Sequence, residues 1–421
     1  MDTKEHCKPI QLLLIYLSTS RGNHAKVLCI TTEREALLEF KRGLIDEYDL
    51  LSSWRNEEDN EECCSWRGVK CSNTTGHILV LNLRGSIQLT PDGEGNYFML
   101  RGIIRSSLVK LQYLKYLDLS SNEFGGEIPK YIGYLKRLEY LNFSSKASSN
   151  GFTGLIPPQL QNLTYLKVLD LGGNFFEVKN LEWLSLYLAL GVLRSLEFLS
   201  FEQNALGGSL INLTRFSSLR ELRLRDNLLN GIFHESFRAY LEIHLGIGFE
   251  STTLDLSENL LSGGIPNCWT RMSVPMILNV ANNRISGSIP YSLCSSTALT
   301  SLYMRKNNLS GQFPASLKNC QGLSVLDLGR NILSGKIPEW IGTKLAYLGS
   351  LSLRFNEFSG SIPPSICQLQ SIQILDLSGN HLSGKIPQCF SNFTSLQLSE
   401  DGSSVSYDFD VSYFLRVYVV Q

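Results

Sequence analysis

Six histidines, ten cysteines and 39 carboxylates could serve most kinds of protein chemistry, and their spacing decides which. The run Gly379-Asn-His-Leu-Ser-Gly384-Lys385-Ile386 imitates a phosphate-binding loop. Such a loop needs Ser or Thr after its lysine to hold magnesium, and Ile386 has no oxygen to offer. The chain has no H-E-x-x-H zinc pair, no G-x-S-x-G nucleophile turn and no G-x-G-x-x-G dinucleotide turn. The histidines are scattered, and His234 and His244 read as solvated turn residues. Asp118, Asp170, Asp255, Asp327 and Asp376 recur at one position of a longer pattern, but no general-acid partner accompanies them. They read as stacked strand positions with polar neighbours. Cys63, Cys64 and Cys71 lie close together, with Cys29 upstream. Adjacent cysteines pair poorly with each other. Crosslinks to other partners, free thiols and a zinc site are the readings, and no histidine cluster supports zinc. The chain therefore reads as no enzyme, with no cofactor and no metal implied.

The composition points to what positions these residues. The chain has 421 residues, and 38 Lys+Arg against 39 Asp+Glu give 38 − 39 = −1. A near-neutral chain is a poor polyanion binder, so nucleic acid is excluded as the main ligand. Hydrophobic residues make up 43%, enough for a large core. Leucine alone occurs 72 times, which without low complexity implies a repeated slot that wants one side chain.

That slot is visible. Leu323-Ser-Val-Leu326-Asp-Leu328-Gly-Arg-Asn331-Ile-Leu333-Ser-Gly335-Lys-Ile337-Pro338 recurs in frame at Leu117 to Pro129 and at Leu375 to Pro387. The frame asparagines are Asn122, Asn150, Asn174, Asn204, Asn227, Asn259, Asn283, Asn307, Asn331, Asn356 and Asn380, and from Asn259 onward they recur every 24 or 25 residues. The L-x-L pair alternates as a short strand, sending both leucines inward. Copies stack about 4.8 Å apart as a parallel sheet. The Asn amide can satisfy turn backbone groups that the ladder misses. Gly eases the next bend, and Pro fixes an extended exit to the convex side. No unit buries its own apolar face; its neighbours do.

These residues resemble the plant-type leucine-rich repeat, with about 12 units over residues 76–396, irregular at 85–99, 176–195 and 232–252. The expected fold is α/β: a right-handed curved solenoid with a parallel concave sheet. Residues 85–99 read as a polar inserted loop. Ahead of the array, Ala36, Leu37, Phe40 and Leu44 have helical spacing over 32–44, and Trp54 and Trp66 flank Cys63-Cys64. The segment 29–75 resembles the amino-terminal cap of plant leucine-rich-repeat receptors. That resemblance implies Cys29 pairs with Cys63 and Cys64 with Cys71. Cys268, Cys294, Cys320, Cys367 and Cys389 fall on the convex side and read as buried thiols filling small core slots, with a single convex disulfide as the alternative.

The whole chain resembles plant receptor-like proteins of the Cf and ethylene-inducing-xylanase receptor type. The resemblance rests on Leu28 to Leu44, Cys63 to Cys71, Leu169 to Asn180 and Gly360 to Cys389. It implies a ligand-recognition ectodomain that binds a microbial protein or peptide elicitor and signals in defence through a partner receptor kinase. A secreted inhibitor of microbial cell-wall hydrolases and a non-functional truncated fragment are the alternatives. Residues 1–25 read as a secretory leader: Lys4 and Lys8 precede the apolar run Ile10 to Leu17, and small polar residues follow. No other stretch approaches the roughly 18 apolar residues that span a bilayer. The expected place is extracellular; full-length relatives carry a plasma-membrane anchor, and residues 397–421 read as a truncated non-repeat tail. Sequons at Asn73, Asn142, Asn162, Asn212, Asn308 and Asn392 fit that route.

The candidate contact residues lie in the solvent-facing slots after the second strand leucine. These are Arg225, Arg305-Lys306, Arg330 after Gly329, and Arg354-Phe355, with Tyr303 one slot earlier. Arg and aromatic side chains are what interface hot spots use, and Arg forks suit carboxylates. The other reading is a solvated basic strip that keeps the sheet soluble.

Overall fold

The computed structural model describes residues 28–55, 62–89, 95–145, 151–176, 194–209, 218–233, 253–267, 276–294 and 299–392. The expected leader and tail, Asn150, Asn212, Cys268, His234, His244 and most of 176–195 and 232–252 lie outside these residues.

The L-x-L pairs and their variants form short strands, three residues long in all but one coil, and with a strand of the cap they stack into one thirteen-stranded sheet. In chain order its members are β1 (Val69–Cys71), β2 (Ile78–Asn82), β3 (Tyr116–Asp118), β4 (Tyr140–Asn142), β5 (Val168–Asp170), β6 (Phe198–Ser200) and β7 (Glu221–Arg223). There follow β8 (Thr253–Asp255), β9 (Ile277–Asn279), β10 (Ser301–Tyr303), β11 (Val325–Asp327), β12 (Ser350–Ser352) and β13 (Ile374–Asp376). Only the β1–β2 pair, in the cap, is antiparallel. Register is strict because the central leucines, for example Leu302, Leu326, Leu351 and Leu375, face one another down a fully buried spine. A one-residue slip would turn that spine to solvent.

Each described frame asparagine follows a strand of the sheet and ties its coil to the preceding one. Asn331 Nδ2 donates to the carbonyls of Met304, Leu328 and Gly329 at 3.0, 3.0 and 3.2 Å, while its Oδ1 accepts from Leu309 N–H at 3.0 Å. Asn122, Asn227, Asn259, Asn307 and Asn356 repeat this pattern. The residue just before the asparagine is left-handed in most coils: Ser121, Gln203, Asp226, Glu258, Asn282, Lys306, Arg330 and Phe355 have φ between 50° and 56°. Past the asparagine, short strands form further small sheets, and the exit proline opens a convex turn, as Pro363 does before Pro364–Gln368. Ile366 and its equivalents then return to the core.

The cap closes the first edge. Its helix α1 (Thr31–Lys41) buries Ala36, Leu37 and Phe40, and ends before Gly43, so Leu44 belongs to a strand paired with Gly102 and not to the expected helix. Trp54 and Trp66 are buried and stacked, 5.5 Å between centroids. Disulfides join Cys29 to Cys63 and Cys64 to Cys71.

Two expectations need correction. Within residues 85–99, Ser86–Leu89 pairs antiparallel to Gly95–Phe98, so the insertion carries paired strands and is not a plain polar loop. Four of the five convex cysteines are not free thiols, and they form two bridges where one was the alternative: Cys294–Cys320 and Cys367–Cys389 are both disulfides, with Cα atoms 5.2 and 5.7 Å apart. One coil advances about the width of a disulfide, so cysteines 22 to 26 residues apart meet side by side.

Candidate ligand-binding face

The concave sheet shows three columns of outward side chains per coil: one before the central leucine, one after it, and one beyond the second leucine. In the coils of β10, β11 and β12 the third column reads Arg305, Gly329, Arg354, and the next position reads Lys306, Arg330, Phe355. Two arginines thus stand two strand spacings apart, about 10 Å, with a glycine between them. The missing side chain makes a hollow. It has a volume of about 320 Å³ and is lined by Arg305, Lys306, Asp327, Gly329, Arg330, Ser352 and Arg354. A Cβ on Gly329 would meet Arg354 Cγ at 2.9 Å and Asp327 Oδ1 at 3.2 Å, so any side chain here would intrude on the hollow.

Four cations face one carboxylate in this depression. Asp327 is largely enclosed, and burial pushes its carboxyl above the usual aspartate range, against the pull of Gly329 N–H and the Arg305 charge. Gly329 N–H donates to Asp327 Oδ1 at 3.0 Å. Arg354 leans toward Asp376 Oδ2 at 3.4 Å. Lys306 and Arg330 have no carboxylate within 4 Å among the described residues. The exposed Phe355 ring stands beside them, with the guanidiniums of Arg330 and Arg354 each 4.8 Å from its centroid. Gly379 in the next coil leaves room for that ring; a Cβ there would lie 2.3 Å from Phe355 Cδ1. A wet, cationic hollow with an aromatic post suits an anionic group presented by a larger molecule.

Arg305, Lys306, Arg330, Arg354 and Phe355 therefore come together. Arg225 does not join them: it follows β7, three strands before β10, and pairs with Glu258 at 3.3 Å. Tyr303 sits on β10 in register with Asp327 but outside the hollow's lining, and burial raises its hydroxyl pKa. In the sequence Gly329 stands only as the residue before Arg330; a glycine between two in-column arginines is the signal for the hollow. Of the sequons, Asn73 and Asn308 are exposed and Asn162 is half-buried. Asn142 is buried on β4, where its Oδ1 accepts from Ser144 N–H at 2.8 Å and its Nδ2 donates to Tyr140 Oη at 3.1 Å. The aspartate series is held in the same way, as Asp118 and Asp255 each accept from the serine two residues on. No helix among the described residues is long and apolar enough to cross a membrane.

Comparison with known proteins fits this geometry. Residues 30–72 match the leucine rich repeat N-terminal domain, and seven segments between 113 and 393 match the leucine rich repeat. The chain thus carries leucine-rich repeats behind a leucine-rich-repeat N-terminal domain, and its fold is a leucine-rich-repeat solenoid. It is 45% identical over 233 residues to receptor-like protein EIX1 of Solanum lycopersicum, covering 53% of this chain and 22% of that protein. The chain thus spans under a quarter of that relative's length. Among solved structures it is similar to PEPR1–AtPEP1, with a TM-score of 0.65, 26% identity, and coverage of 86% of this chain and 50% of that one. It is also similar to the plant peptide hormone receptor RGFR1 in complex with RGF2, with a TM-score of 0.61, 29% identity, and coverage of 79% and 51%.

Proposed function

We propose that the concave sheet is the ligand-recognition face of a plant receptor-like protein, and that the depression over Gly329 takes an anionic group of a protein or peptide ligand. One observation carries this reading: four cationic side chains from three successive coils converge on a hollow that a glycine keeps open. A strip meant only for solubility has no reason to enclose such a hollow. The similarity to EIX1 and to a peptide hormone receptor supports a secreted protein or peptide as ligand. A microbial elicitor is the ligand class that fits the receptor-like relatives, and a partner receptor kinase carries the defence signal onward. The test is capture of a secreted fungal xylanase by the immobilised chain. Reversing two charges with Arg305→Glu and Arg354→Glu is expected to reduce capture at least tenfold while far-UV circular dichroism stays unchanged. Undiminished capture removes this strip as the ligand face.

A further inference from the structure

The first column of the concave sheet carries a second feature, at the opposite end from the basic hollow. On β2 to β6 it reads Val80, Tyr116, Tyr140, Val168 and Phe198, five apolar residues in direct register on adjacent strands. All five are partly exposed. The Tyr116 and Tyr140 rings stack 4.1 Å apart and nearly parallel, and each hydroxyl is anchored by a polar neighbour: Tyr116 donates to Asp118, and Tyr140 accepts from Asn142. The row runs four strand spacings, about 19 Å. Its inner flank is low along β3 to β5, because the second-column Asp118 and Asn142 are buried and the third column beyond them holds only Ser120, Ser144 and Gly172. On its outer flank Lys115 and Lys167 share Glu139, at 3.0 and 3.1 Å. The next strand ends the row: Glu221 replaces the apolar residue and pairs with Arg223 at 2.6 Å.

The stretch between row and hollow is also self-neutralised, by Glu221–Arg223 and Arg225–Glu258. The concave face therefore has an apolar trough at one end and a cationic hollow at the other, on one continuous sheet. Phe198 and Arg305 belong to β6 and β10, four spacings or about 19 Å apart, which an extended chain covers in about six residues.

We infer that the ligand is an extended polypeptide segment with an apolar cluster and an acidic cluster separated by about six residues, the apolar part lying along Val80 to Phe198. This rests on the proposed anion-binding role of the hollow and adds its second half. The trough and the hollow share one sheet, and a single strand laid across the coils meets both, which is why a polypeptide and not a separate partner is the occupant.

The probes are fluorescein-labelled synthetic peptides with Leu-Phe-Leu at one end and Asp-Glu-Asp at the other, in both chain directions, joined by two or six Gly/Ser residues. Acid-only and apolar-only peptides of equal length serve as controls, and anisotropy is read against the secreted full chain. The six-residue spacer in one direction is expected to bind at least tenfold tighter than the acid-only peptide, and the two-residue spacer to match it. Phe198→Ser, or Val168→Ser if the first variant is poorly secreted, is expected to bring the six-residue peptide down to the acid-only level and leave the acid-only peptide unchanged. Equal binding of six-residue and acid-only peptides overturns the bipartite footprint while leaving the hollow's role intact. No binding of the acid-only peptide to wild type, or binding unaltered by Arg330→Glu, overturns the hollow's role and the bipartite footprint with it; apolar-only binding lost on Phe198→Ser then shows that the trough alone is the site.

Discussion

Asn331 and its equivalents do what no other side chain does at this place: one amide donates to three carbonyls and accepts from an N–H of the preceding coil. Aspartate has the shape but turns a donor into a charge facing three carbonyl oxygens. Asn331→Asp is expected to cost roughly 2–4 kcal/mol, read as a lower urea midpoint, because buried groups lose their partners. Asp327 governs the neighbouring hollow through its own titration. It faces Gly329 N–H, Arg305, Ser352 and Asp376, and burial holds its pKa above the ordinary aspartate value. A raised carboxyl pKa gives stability that is fully present below the unfolded value and is lost as pH rises through the folded value. The same proton uptake removes the one enclosed negative charge from the hollow. Binding of a tyrosine-sulfate peptide, whose own charge is constant, is therefore expected to tighten as pH falls through that range. Asp327→Asn is expected to flatten this dependence and to bind more tightly at neutral pH.

Individual coils are marginal, and the elements that join them carry the difference. The convex bridge Cys294–Cys320 closes a separation of 26 residues between neighbouring coils. Replacing both cysteines with alanine is expected to cost about 3 kcal/mol, mostly through a less constrained unfolded chain, and to lower the melting temperature measured without reductant. These bridges were not legible in the sequence. The cysteines stand at different distances from the frame proline, and only the coil's actual path shows which of them meet. The 85–99 insertion was misread for a related reason. Its Gly and Asp punctuation signals a turn, while the pairing of Ser86–Leu89 with Gly95–Phe98 is decided by backbone hydrogen bonds that composition does not display.

At the scale of the whole molecule, stability is a sum of coils and nearest-neighbour interfaces, so whole units can be removed and fractions cannot. Deleting residues 332–356 leaves Asn331 followed directly by Glu357 and removes one complete coil. Secretion of a folded, shorter solenoid is expected, with a circular dichroism spectrum like the parent's. Deleting residues 332–343 breaks the frame, and loss of secreted protein is expected. The leucine spine, the asparagine turns and the parallel order of strands were all legible, because each is a periodic demand on one side-chain type. The clustering of Arg305, Arg330 and Arg354 was legible too, since equal slots of successive coils must be neighbours. Two things were not: that Gly329 opens a hollow between them, and that the row of Val80, Tyr116, Tyr140, Val168 and Phe198 is bordered by side chains already held in ion pairs. Sequence period alone placed residues in columns, because stacking follows from the repeat. Only the tertiary structure decided which columns are hollow, apolar or already neutralised, since cavities and ion pairs depend on how side chains from different coils fill shared space.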